Sequence, residues 1–236
     1  MAKRPAGRPT LAKDYDRSYF DRWYRDPAQA VILGSHLERR VRLAVAAAEY
    51  VLERKVESIL DVGCGEAPWR AIVRRLRPRA RYAGLDPSPY VVARYGKRRG
   101  IALGGVGDLG TSPLFRTLLK LGARPPFDLV VCSDVLHYVP TPDLARGLKA
   151  IGKWIGGGMA FLEFFTRDDD TEGDTEGFEP RSAAVYAKML RAAGLTHLGL
   201  HCYVGRDVGR EIMAFERGFA APPARGRVRK ATLRGG

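Results

Sequence analysis

Long apolar runs are missing from this sequence: nowhere do eighteen uncharged apolar residues follow one another, which excludes a membrane-spanning helix. Cysteine is scarce. Its three thiols, Cys64, Cys132 and Cys202, are odd in number, far apart and in no metal-like cluster. That argues against a disulfide framework and for a reducing, cytoplasmic compartment. The start, MAKRPAGRPTLAKDYDR, has no apolar stretch of the kind a secretory leader needs. Internal repeats are absent as well. What remains is an ordinary globular content, 45% hydrophobic and 9% aromatic over 236 residues, enough for one closed core and too much for wholesale disorder.

Charge of one sign is in excess. The net charge is +14, which invites a nucleic-acid reading. Of the 40 basic residues 31 are arginine, a skew that coding bias alone can produce. Part of the charge is terminal: Lys3, Arg4, Arg8 and Lys13 begin the chain, and Arg225, Arg227, Arg229, Lys230 and Arg234 end it, with no acid after Glu216. Residues 1–14 and 220–236 therefore read as solvated, mobile basic tails, with phosphate contact as the alternative.

Between them, helix and strand patterns alternate. Ser35 with Glu38 matches a capping box opening a helix to about Arg54, with Leu37, Val41, Val45 and Ala48 inward. The strand Ser58–Val62 runs into Gly63-Cys64-Gly65, and a helix with Ile72, Val73 and Leu76 follows and stops at Pro78. Tyr82–Asp86 is a second strand, Ser88 caps a helix to about Arg99, and Ile101–Val106 makes a third strand. Leu114–Leu121 reads as a short helix and Phe127–Ser133 as the most continuous apolar strand. Thr141, with Pro142 next, caps a helix carrying Leu144, Leu148, Ile151 and Ile155. The strand Met159–Phe165, an acidic loop, a helix near Arg181–Ala193, and strands Thr196–Val204 and Glu211–Glu216 complete the chain. Only Gly205–Arg210 separates the last two strands, too few residues for a crossover helix, so they should pair as an antiparallel hairpin. The expected fold is α/β: a doubly wound, mostly parallel seven-stranded sheet ending in an antiparallel hairpin, with helices on both faces.

Three carboxylates fall at the ends of the first three strands. Asp61 precedes the glycine turn, where backbone can approach a ligand closely. Asp86, before Pro87, is placed to accept hydrogen bonds from vicinal ribose hydroxyls. Asp108, followed by Leu109, is placed to accept from an exocyclic adenine amine while Leu109 covers the ring. Together with the fourth strand, Phe127-Asp128-Leu129-Val130-Val131-Cys132-Ser133-Asp134-Val135-Leu136-His137-Tyr138-Val139-Pro140, and the terminal hairpin, this pattern resembles the class I S-adenosylmethionine-dependent methyltransferases. The resemblance covers about Ser58 to Glu216. It implies a three-layer α/β/α core with S-adenosylmethionine held by Asp61, Gly63, Cys64, Gly65, Asp86, Pro87, Asp108, Leu109 and Ser133. One departure is Ala67 at the family loop's third glycine, acceptable if its φ is negative. A pyrophosphate cofactor fits less well, because Asp61 and Glu66 would crowd it whereas a cationic sulfonium compound accommodates them.

Methyl transfer mainly needs alignment and exclusion of water, so no catalytic triad is expected. His137 is the candidate general base, with turn packing as its alternative role. Tyr19 and Trp23, in an aromatic cluster with Tyr15, Phe20 and Tyr24, and Asp134 and Glu163 at strand ends are candidate acceptor contacts. The acids of residues 167–179 (Asp168, Asp169, Asp170, Glu172, Asp174, Glu176, Glu179) form either a lid favouring neutral or cationic acceptors or a hydrated loop. His197 and His201, spaced along one expected strand, stand too far apart to share a metal, and none is expected.

The organisation expected is a basic tail (1–14), an aromatic segment and helix on the substrate side (15–57), a cofactor-binding core (58–219) and a second basic tail (220–236). The reading is a methyltransferase acting on a small molecule, without a membrane partner. The alternatives are an RNA or protein methyltransferase using the basic surface, nucleic-acid contact running through the tails, or a noncatalytic binding module of the same fold. Oligomeric state is not legible.

Overall fold

The computed structural model describes residues 13–26, 34–170 and 173–211. In chain order the elements are α1 (Arg17–Arg25), α2 (Gly34–Leu52), β1 (Ser58–Val62), α3 (Pro68–Leu76), β2 (Arg81–Asp86), α4 (Pro89–Arg99), β3 (Ile101–Leu103), α5 (Ser112–Lys120), β4 (Leu129–Ser133), α6 (Thr141–Trp154), β5 (Met159–Glu163), α7 (Ala183–Ala192), β6 (Leu195–Gly199), β7 (Cys202–Gly205) and α8 (Arg206–Glu211). The sheet order is β3-β2-β1-β4-β5-β7-β6, with β1 to β5 parallel and β7 antiparallel to both β5 and β6. This is the expected doubly wound sheet with a hairpin at one edge.

Both sheet faces are covered, which explains why Leu129–Cys132 of β4 read as an unbroken apolar run rather than an alternating one. Ile59, Leu129, Val131, Met159 and Phe161 pack against Val41, Ala44, Val45 and Ala48 of α2 and Trp69, Ile72 and Val73 of α3. Their neighbours Leu60, Val62, Val130, Cys132, Ala160 and Leu162 face the other way, onto α5, α6 and α7. A third cluster, at the β2–β3 side, joins Phe20 of α1 to Val91 and Tyr95 of α4 and to Cys64, Ala67 and Ile101. Asp128, just before β4, accepts from the Glu57 and Ser58 amides at 2.6 and 3.1 Å and pairs with Arg54. Those bonds hold its carboxyl below the ordinary carboxylate value against the opposing effect of burial.

Several boundaries differ from expectation. The hairpin lies within Thr196–Val204, not between it and a later strand: Leu200 and His201, at φ 48° and 65°, make a two-residue turn between β6 and β7. Alternating apolar residues run straight across that turn, and neither residue carries the usual Asn or Gly signal. Gly205–Arg210, expected as a turn, contributes to α8, and Glu211 ends that helix. The remainder of the expected strand Glu211–Glu216 and the tail 220–236 lie outside the described residues, as do residues 1–12 of the other tail. Thr141 is the first residue of α6 behind Pro140, so it is not the cap. Ser35 lies inside α2. β3 stops at Leu103, where Gly104 and Gly105 lead into a 3₁₀ turn, Val106–Asp108.

Candidate functional site

The parallel register sets Asp61 beside Gly84 and Asp86 beside Leu103, so the carboxyl ends of β1, β2 and β3 converge on one edge of the sheet. After β1 the chain turns back sharply. The Gly63 and Cys64 amides both donate to the Leu85 carbonyl, at 2.8 and 2.9 Å, which pins the turn to β2. Gly63 and Gly65 have φ of 71° and 52°, and a Cβ on Gly63 would lie 2.4 Å from Val135 Cγ2. Ala67 has φ 56°, so the condition for its ready accommodation fails: it sits strained in the left-handed region as the cap of α3. Left-handed backbone costs a non-glycine residue about 1–2 kcal/mol, and a glycine gives back about 0.4–1 kcal/mol through its freer unfolded state. Ala67→Gly is therefore expected to stabilise the fold slightly, by under about 1 kcal/mol, measured by thermal or urea unfolding.

Two adjoining cavities lie along this edge. The first, about 290 Å³, takes Asp61, Gly63, Cys64, Gly65, Asp86, Pro87, Ser133, Asp134 and His137 among its walls. The second, about 680 Å³, is lined by Leu103, Gly104, Gly105, Asp108 and Leu114. Tyr15, Gly63, Pro87, Val135 and Tyr138 border both. The candidate residues are thus assembled except for Glu163, which stands behind Ser133 outside both walls, and Leu109. Leu109 is packed in the core with Val106, Leu118 and Leu148 and faces neither cavity. Glu66 also lies outside the walls, where Arg25 and Arg99 neutralise it. The negative charge at the glycine loop therefore comes from Asp61 and Asp86.

Both acids are buried, and burial raises both. Asp61 is pushed up to about 7, the Tyr82 hydroxyl bonded to it working in the opposite direction and the Asp86 charge adding to the rise. Asp86 is pushed up to about 6, less far because it accepts the Gly65 amide at 2.7 Å and the Ser88 amide at 2.9 Å. A pair of strained carboxylates open to a cavity favours a cation and repels a pyrophosphate. Asp108 accepts the Gly105 amide at 2.8 Å.

His137 departs from the base expected. Buried against Tyr138, Phe165 and Phe178, it is lowered to about 4 by desolvation, and its Nδ1 accepts the Phe165 amide at 3.3 Å. A neutral ring of that tautomer carries its proton on Nε2, so it donates rather than accepts. Asp134 holds φ 58°, a strained value at the end of β4. Arg40 of α2 reaches Ser133 Oγ, Asp134 and Glu163 at 3.1, 3.0 and 2.8 Å, and Ser133 donates to Glu163 at 2.6 Å. Sequence reasoning passed over Arg40, although its place three residues after Leu37 puts it on the apolar stripe of α2.

α1 lies over the glycine loop and packs at the β2–β3 side of the sheet. Tyr19, Phe20, Trp23 and Tyr24 all line the first cavity, and a Cβ on Gly65 would lie 2.1 Å from the Tyr24 hydroxyl. Lys13, assigned to a mobile tail, is instead buried and ion-paired with Asp174 of the acidic loop. His197 and His201 fall on β6 and in the following turn, and no cluster of three metal-ligating side chains occurs among the described residues. No described helix is long and apolar enough to cross a membrane. The arginines after the glycine loop are partly neutralised, Arg75 by Glu38 and Arg77 by Glu49.

The fold is shared with solved methyltransferases. The sugar N-methyltransferase KedS8 from Streptoalloteichus sp ATCC 53650 superposes with a TM-score of 0.53 at 18% identity, over 83% of this chain and 90% of that one. An S-adenosylmethionine-dependent methyltransferase from Clostridium acetobutylicum ATCC 824 gives 0.54 at 14% identity, over 77% and 87%. DesVI of Streptomyces venezuelae gives 0.54 at 14%, over 73% and 93%. At these identities the likeness is one of fold. No curated protein matches the sequence. The model of one family, described as a methyltransferase domain, matches residues 33–214, so that glycine turn, acidic strand ends and sheet order have a common explanation: the chain belongs to this methyltransferase family, and S-adenosylmethionine is its cofactor.

Proposed function

We propose that the protein moves a methyl group to a small-molecule acceptor by in-line displacement. When bound, S-adenosylmethionine supplies a methyl carbon already activated by positive sulfur. Asp61 would hold the cofactor's ammonium, Asp86 its ribose hydroxyls, and Asp108 its adenine amine, with Gly63, Cys64, Gly65 and Pro87 shaping the wall and Ser133 fixing its far end. His137 would donate through Nε2 to orient the acceptor, and Tyr19, Trp23 and Asp134 would border it. Glu163 acts one step back, through Ser133 and Arg40.

The observation that carries this reading is the narrowing of the first cavity by α1. That helix covers the glycine loop, leaving about 290 Å³ between aromatic rings and strand ends, to be shared by the methyl-donor end of the cofactor and the acceptor. Such a space suits a compact acceptor and the exclusion of water. The pairing of Arg75 and Arg77 weakens the alternative of a basic nucleic-acid face on α3.

The test is turnover of labelled S-adenosylmethionine across metabolite and RNA pools, with Asp86 variants as controls. Asp86→Asn keeps one acceptor oxygen and is expected to weaken cofactor binding about tenfold, a loss of 1–2 kcal/mol. Asp86→Ala should cost more, because the Gly65 and Ser88 amides, bonded to different carboxylate oxygens, both lose their acceptor, whereas asparagine keeps one of the two. Label appearing only in the RNA pool would refute the small-molecule reading.

A further inference from the structure

The ammonium of Lys13 sits in a cage. Its Nζ lies 4.7 Å from the centre of the Tyr19 ring, 5.5 Å from that of Tyr138 and 5.9 Å from that of Tyr15, and it is ion-paired with Asp174. Ring faces and a carboxylate around one point make a site for an ammonium group, since both attract positive charge and the rings limit its hydration. The cage is braced independently of its occupant: Tyr138 donates to the Asp174 carbonyl at 2.5 Å, and the Tyr15 carbonyl accepts from Ser88 Oγ at 2.5 Å.

A buried lysine pair is ordinarily a tether between two segments. Two observations point further. All four cage residues line the first cavity, where an acceptor would lie, and Lys13 itself, with Tyr15 and Tyr138, borders the second, so the cage stands at the junction of the two. That cavity has the wrong sign for its protein. Within a chain of net charge +14, its walls carry Asp61, Asp86, Asp134 and Asp174 against one guanidinium, Arg40. Lys13, four residues ahead of α1 and outside any helix or strand, is held by its side chain.

We infer that the Tyr15–Tyr19–Tyr138–Asp174 cage is the binding site for a positively charged ammonium group of the acceptor, and that Lys13 occupies it as an internal stand-in which the acceptor displaces. The acceptor is then an organic cation. This rests on the proposed small-molecule reading but adds a site to it, one that needs no cofactor to be detected.

Tetramethylammonium is the probe, and tert-butanol, of similar shape but neutral, is the control. Lys13→Ala vacates the cage and is expected to bind tetramethylammonium about tenfold more tightly than the intact protein, while tert-butanol gains nothing. Adding Asp174→Asn should abolish the gain. In the intact chain, lysine labelled with ¹³C at Cε reports the same event without substitution. The Lys13 signal, displaced by three rings, should move to the free-lysine position as tetramethylammonium is added and stay in place with tert-butanol. A Lys13 signal unmoved at saturating salt, or a folded Lys13→Ala protein with unchanged affinity, overturns the cage. S-adenosylhomocysteine binding, measured by calorimetry on the same samples, reports separately on the cofactor site, so either assignment can fail without the other.

Discussion

Cofactor affinity is expected to fall about thirtyfold between about pH 8 and about pH 5.5. Asp61 is raised to about 7 by burial, so it is largely ionised at the upper pH and largely protonated at the lower. A cationic ammonium gains from the carboxylate and not from the acid. Asp86, raised to about 6, adds a smaller decline in the same direction. The stability of the protein without cofactor should move the opposite way. A carboxyl whose folded value lies above its unfolded value binds more protons when folded, so stability rises as pH falls from above 7 towards the unfolded value near about 4. Calorimetric titration with S-adenosylhomocysteine and melting curves across this range measure both trends. Asp61→Asn should bind weakly at every pH and flatten the profile. An intact protein with a flat profile would remove Asp61 from the ammonium site.

Gly147→Ala should lower stability and cofactor affinity together. A Cβ there would lie 2.3 Å from Val106 Cγ1 and 2.5 Å from the Val106 carbonyl oxygen, so α6 would be wedged away from the 3₁₀ turn that carries Asp108. Overpacking against backbone costs about 3 kcal/mol, and alanine's better helix propensity returns about 1 kcal/mol. The net loss of about 2 kcal/mol corresponds to a melting temperature lower by about 4–8 °C in a chain of this size. S-adenosylhomocysteine affinity should fall with it, because Asp108 shifts with the turn. Gly157→Ala, with nothing within 4 Å of its added Cβ, is the matched control and should change neither quantity. Equal melting curves for the two variants would mean that α6 and the turn are not in the contact described.

Ala67 shows where local reading reaches its limit. Its place in the loop follows from counting residues after Asp61, but its φ is set by how the loop must meet Pro68 at the start of α3. The hairpin failed for a related reason. A two-residue turn made by Leu200 and His201 has no compositional mark, and the apolar alternation around it is what a single strand would also show.

The order and type of the central elements follow from local patterning alone. Parallel strands buried on both faces must be apolar throughout, and helices must present one apolar stripe, so each leaves a periodic trace. The carboxylates Asp61 and Asp86 at the ends of the first two strands are legible in the same way, because strand ends and glycine turns are local features, whereas Asp108 belongs to a 3₁₀ turn beyond β3. Only tertiary structure decided which side chains from distant segments meet there. Lys13 against Asp174, Arg40 between Asp134 and Glu163, and Glu66 turned out to Arg25 are pairings across long stretches of chain, fixed by how helices dock on the sheet. The same docking buries His137 and lowers it to about 4, because desolvation depends on neighbours that no sequence window contains.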